Sequence, residues 1–228
     1  MHHDHNAPPF NPLPWVVWLL VLPIVAMEVV FGLGASGIAG GPAAIGWRNE
    51  AVQWFGFNSS FLQWMIENGT FPPALLLRFV TYPFVHGSVT HAVFVAVFLL
   101  ALGKFVGEVF RPLAVLAIFF CSAIVGALAF GLLAGPSQWL FGGYPADYGL
   151  IGAFTFLLWT RLGETGQNQY GAFSLIGFLM GIQLIFGVFF GSRPDWIADL
   201  AGFFTGFALS FLVGPGGWQR ALAHLRQR

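Results

Sequence analysis

The chain has 228 residues, of which 57% are hydrophobic and 8% charged, and its 9 basic and 9 acidic side chains cancel. Soluble domains carry about 25% charged residues, so too few charges are present to cover a water-facing surface, and lipid must be the solvent for much of the chain; the mean hydropathy of +0.77 agrees. No basic surplus invites nucleic acid, and a single cysteine, Cys121 in apolar surroundings, excludes an internal disulfide framework and reads as an inert buried thiol.

Residues 1–14 form a polar N-terminal tail. Its histidine tract, His2, His3 and His5, is read as a disordered polar segment in preference to a copper or nickel site; no metal and no cofactor is expected. The first apolar run, Trp15 to about Leu33, has no basic stretch before it and is too long for a signal core, so it is expected to be retained as a span. Glu28 lies inside it. A neutral, protonated carboxyl facing the bundle or a contact with a partner helix is expected there in preference to a proton relay.

The stretch from about 35 to 90 is long for a loop and rich in aromatics. It holds two short amphipathic segments, Asn49 to Phe57 and Phe61 to Glu67, with Ser60 and Gln63 as a capping box for the second. Trp47, Trp54 and Trp64 suit a membrane interface, so a structured hairpin at the bilayer surface is expected.

Five further apolar runs follow, each judged against the roughly 20 residues that cross a bilayer. The second runs from near His91 to near Phe110 and the third from Leu113 to Leu133. The fourth, about Tyr148 to Leu162, is short and begins in a glycine pair. Gly171 to Phe190 and Trp196 to Val213 complete the set. Lipid satisfies no open sheet edge, so the spans must be helices: an all-α membrane protein, a bundle over 15–213 followed by a tail, 214–228. With six spans, one side carries Lys104, Arg111, Arg161, Arg220, Arg226 and Arg228, and the other Arg48, Arg78 and Arg193. That bias places both termini in the cytoplasm, and a bacterial inner membrane is the expected location.

The second span opens on Arg78-Phe79-Val80-Thr81-Tyr82-Pro83-Phe84-Val85-His86-Gly87-Ser88-Val89-Thr90-His91. An arginine, a threonine three residues on and two histidines five apart, with Gly103 and Glu108 near the helix end, resemble the rhomboid intramembrane proteases; Glu108 sits one residue late. The stretch Gly149-Leu150-Ile151-Gly152 is similar to the family's Gly-x-Ser-Gly, with Ile151 at the nucleophile position. Asp199-Leu200-Ala201-Gly202-Phe203-Phe204-Thr205-Gly206 is similar to its histidine and small-residue ladder, with Asp199 at the base position. Val95 stands where the family has an oxyanion-donating asparagine.

The resemblance implies a six-transmembrane-helix rhomboid-like bundle with an interfacial first loop, and structural roles for Arg78, Gly103, Glu108, Gly202 and Gly206. It also implies a degenerate active site at His86, His91, Val95, Gly149, Ile151, Gly152 and Asp199. An alkane has neither a proton to give nor a lone pair to attack with, so no catalytic residue is expected. His86 and His91 are read as structural. For Asp199 two readings stand: interfacial solvation with an ion pair to Arg193, or a hydrogen bond to His91 or His86. Ser88, Ser122, Ser174 and Cys121 lack any motif that would make them replacement nucleophiles.

The expected function is that of a pseudoprotease that binds transmembrane helices or partner membrane proteins, in assembly, quality control or as a subunit of a membrane complex. The alternative is an active serine-type endopeptidase with atypical residues. No internal repeat suggests a carrier.

Overall fold

A computed structural model describes residues 12–191 and 193–214. The histidine tract and Arg220, Arg226 and Arg228 lie outside the described residues. The architecture is a helical bundle. Helix α1, Trp15–Ala35, is apolar all round except at Glu28, as a helix in lipid is; its buried stripe of Val16, Val17, Leu20, Val21 and Ile24 packs on the bundle.

The first loop is a chain of short helices. A 3₁₀ turn, Gly41–Gly46, leads into α2, Trp47–Phe55. Then come β1, Phe57–Asn58, and α3, Ser59–Asn68, followed by α4, Pro73–Leu76, and α5, Arg78–Thr81. The cap of α3 differs from the capping box expected: Asn58 is the N-cap, its side chain accepting from the Ser60 amide at 2.9 Å. The Ser60 hydroxyl is turned instead toward residue 137, whose amide donates to it at 2.9 Å. Asn58 prevails because a short amide side chain at the preceding residue reaches the free amides of the first turn more directly.

Helix α6, Val89–Val109, starts at Ser88, whose hydroxyl accepts from the His91 amide at 3.2 Å. Proline opens α7, Pro112–Leu133, where a missing amide costs nothing. Strand β2, Trp139–Leu140, pairs antiparallel with β1, Phe57 opposite Leu140 and Asn58 opposite Trp139, tying the first loop to the segment that feeds the next helix. That helix, α8, runs Tyr144–Glu164. A 3₁₀ turn, Gln169–Phe173, precedes α9, Ser174–Phe190, and α10, Asp195–Val213, closes the bundle.

Five of the described helices are long and apolar enough to cross a membrane: α1, α6, α7, α9 with its preceding turn, and α10. The fourth of the expected spans, α8, corrects the sequence reading. It has 21 residues, as many as α6, and begins four residues earlier than expected. Pro145 and Asp147 sit in its first turn, as both do in helix starts. It is the central helix, packed mainly on α10 and α7, with Asp147 buried and Arg161 and Glu164 exposed at its far end.

The α8–α10 seam is made of glycines. A Cβ on Gly206 would overlap the Gly149 carbonyl, one on Gly202 the Pro145 carbonyl, and one on Gly152 the Phe203 carbonyl. Small residues bring two backbones into direct contact where lipid supplies no hydrophobic drive. Gly103 does the same for α6 and α1, its added Cβ falling 2.9 Å from Val17. Beyond the seam, Phe156 packs edge-on against Phe211 at 4.7 Å.

Candidate functional site

His86 and His91 meet at the entry to α6. Their rings are 5.0 Å apart and nearly perpendicular, and His91 stacks on Tyr144 at 4.9 Å. The His86 Nε2 accepts from the Gly143 amide at 3.4 Å, so the imidazole is bonded as a neutral acceptor. Burial, with His91 and Arg48 adding, pushes its pKa down to about 3. Gly142 has φ 97°, and a Cβ there would overlap the His91 ring; only glycine meets both demands. Val95, fully buried, lies under this turn, 2.6 Å from where a Cβ on Gly143 would sit.

The outer wall of the turn is held by an ion pair that sequence reasoning missed. Arg48 on α2 binds both oxygens of Glu28 at 2.7 Å and donates to the His86 carbonyl at 2.9 Å. Glu28 is therefore paired within the chain, which replaces the expectation of a neutral carboxyl or a partner-helix contact. Arg48 reaches it because α2 folds back over α1, a tertiary event with no local signal.

Arg78 donates to the carbonyls of Gln53 and Gly56 at 2.7 and 2.8 Å and lies over the Phe61 ring. The Thr81 hydroxyl donates to the Phe55 carbonyl at 2.9 Å. Both residues thus pin the end of α2 to the approach of α6. Glu108 is exposed near the end of α6.

Ile151 and Asp199 come together in a cavity of about 260 Å³ between α8, α9 and α10. Ile151 is 1% exposed. Asp199 is 2% exposed, and one of its oxygens accepts from the Gln183 amide at 2.8 Å. Neither earlier reading of Asp199 holds: Arg193 pairs with Asp195 at 3.1 Å, and no histidine bonds to Asp199. The reason lies in α9, which brings Gln183 across while the histidines turn toward Gly142 and Gly143. His86, His91 and Val95 are not among the residues lining this cavity.

A second carboxylate there was not anticipated. Asp147 is 1% exposed, lines the same cavity, and has no hydrogen-bond partner on either oxygen. Its signal was the helix-start pattern at Pro145, obscured by reading the span from Tyr148. Tyr144 and Tyr148 complete the polar lining. The Ser122 hydroxyl is buried beside Gly149 without a partner. Among the described residues no cluster of histidine, cysteine and carboxylate side chains suits a metal ion.

This geometry defines a class: multi-pass helical membrane proteins with a polar cavity between a glycine-packed central helix and its neighbours. The chain belongs to the rhomboid family, whose Rhomboid domain model matches residues 73–216, covering Arg78, both histidines, Ile151 and Asp199. It is also 31% identical over 152 residues to rhomboid-like protease 3 of Toxoplasma gondii, a match spanning 64% of this chain and 56% of the relative.

Proposed function

We propose that this rhomboid-family membrane protein is not a protease but holds transmembrane helices of other membrane proteins, as an assembly or quality-control factor or as a subunit of a membrane complex. The observation that carries the reading is Ile151. At the family's nucleophile position a buried alkane lines the cavity, and the base position holds a carboxylate bonded to Gln183. What remains is a membrane-embedded cleft beside α9, whose outer face is largely exposed, with Phe178, Leu184 and Val188 each more than 60% accessible. Both termini lie in the cytoplasm of a bacterial inner membrane in this reading, supported on the orientation side by the basic-residue asymmetry.

A second reading is an active serine-type endopeptidase with rearranged residues. It draws on the protease name of the Toxoplasma relative and on the unpartnered Ser122 hydroxyl. Against it, no hydrogen bond joins Ser122 to His86, His91 or Asp199, and a serine without a base is a weak nucleophile.

The test uses the full chain in liposomes with a fluorophosphonate probe, a transmembrane substrate and a labelled apolar model helix. The expected result is no labelling, no cleavage and saturable association of the helix. Cleavage that disappears when one serine is changed, Ser122→Ala for instance, overturns the reading.

A further inference from the structure

The cavity holds more carboxyl oxygens than its surroundings satisfy with hydrogen bonds. Both oxygens of Asp147 and one of Asp199 have no donor, and both side chains are almost fully buried. Asp147 lies in the first turn of α8, where the helix dipole favours an anion. Carboxylates inside a span are paired, hydrated or functional.

The described residues supply no cation. Arg48 is held by Glu28, Arg78 by carbonyls and Arg193 by Asp195. Arg161 is in the last turn of α8, roughly 20 Å along the axis from Asp147 at 1.5 Å per residue. Lys104 and Arg111 lie toward the end of α6 and the start of α7.

The rest of the lining states what kind of cation fits. No side-chain cluster among the described residues suits a metal ion. The walls are aromatic, with Phe98, Tyr144, Tyr148 and Phe186 beside the two carboxylates. Aromatic faces with carboxylates accept an alkylammonium or guanidinium group, which is attracted to both. A larger groove of about 800 Å³ adjoins the cavity between α9 and α10, shares Gln183 and Phe186 with it, and is lined by Leu184, Val188, Trp196 and Leu200, with the Arg193–Asp195 ion pair at one part of its wall. An apolar helix seated in that groove would bring a basic side chain to the carboxylates without passing through water.

We propose that the acidic cavity receives one lysine or arginine side chain from a partner transmembrane helix, with Asp147 and Asp199 as counter-ions and Gln183 positioning Asp199. This rests on the helix-holding function and adds a rule of recognition: the partner has a basic residue within its membrane span.

The experiment uses the full chain in liposomes and two labelled model helices, identical except for lysine or norleucine at one buried position, with uncharged flanks. Energy transfer measures association. The lysine helix is expected to bind about tenfold or more tightly than the norleucine helix, and Asp147→Asn and Asp199→Asn are each expected to remove most of that preference. Equal binding of both helices overturns this proposal and leaves the helix-holding reading intact. Failure of both helices to bind overturns that reading as well. A lysine preference unchanged by either substitution places the cation elsewhere and overturns the assignment. Loss of the preference to free n-butylammonium in the wild type, but not in Asp147→Asn, is the expected competition; a lysine preference untouched by saturating n-butylammonium places the cation elsewhere and overturns it. Should Asp147→Asn not fold, the wild-type ratio and the isosteric Asp199→Asn still decide.

Discussion

At the scale of single residues, the entry to α6 depends on Arg48. It closes Glu28 of α1 onto the His86 carbonyl, so one guanidinium neutralises a carboxylate within a span and fixes the loop holding the histidines. His86 must then stay neutral. Arg48 and His91 lie beside it, and its Nε2 already accepts from Gly143. In the unfolded chain an imidazole titrates near 6.5, whereas in the fold burial pushes His86 to about 3. Below about pH 6.5 the unfolded state binds the extra proton, so this group's contribution to stability is full above that pH and is lost progressively toward pH 3. Unfolding in detergent measured from pH 7.5 to 4 should therefore show a decline that is shallower in His86→Gln. Parallel curves for wild type and variant would mean that His86 is protonated in the fold.

At the scale of elements, the seam between α8 and α10 gives the sharpest contrast. Gly206→Ala places a methyl on the Gly149 carbonyl, and neither backbone can yield without separating the two central helices. Overpacking of this kind costs about 1–3 kcal/mol or more. Gly181→Ala on α9 meets nothing within 4 Å, so it should be neutral or stabilising by up to about 1 kcal/mol through helix propensity. Thermal unfolding of the two variants in one detergent checks both signs. A Gly206→Ala protein as stable as wild type would mean that the seam is looser than its backbone contacts imply.

At the scale of the whole molecule, the scaffold and the chemistry are separable. Ile151→Ser with Asp199→His restores a nucleophile and a base at the two family positions, and both line the cavity. Val95 still supplies no donor, and loss of one oxyanion donor lowers kcat about 10²–10³-fold. The smaller serine also leaves a void in a packed site, which destabilises. Weak or no cleavage of a transmembrane substrate is expected from the double variant, with a gain when Val95→Asn is added at matched folded concentration. Robust cleavage without any gain from asparagine would show that residue 95 is not the donor position.

The sequence by itself determined what depends on composition and local pattern: a chain solvated by lipid, helices in place of strands, the spans α1, α6, α7, α9 and α10 to within a few residues, and the family through Arg78, Thr81 and the paired histidines. The glycines at 149, 152, 202 and 206 were legible as close-packing residues because small residues three or four apart mark one helix face. The tertiary structure decided the pairings. Arg48 meets Glu28 across 20 residues of sequence, Gln183 rather than a histidine holds Asp199, and β1 finds β2 some eighty residues on. Asp147 joins Asp199 in one cavity because α8 begins at Tyr144 and lies against α10. Each of these brings together groups on different elements. Its energy depends on distance and burial, and neither is encoded in the identity or spacing of neighbours along the chain.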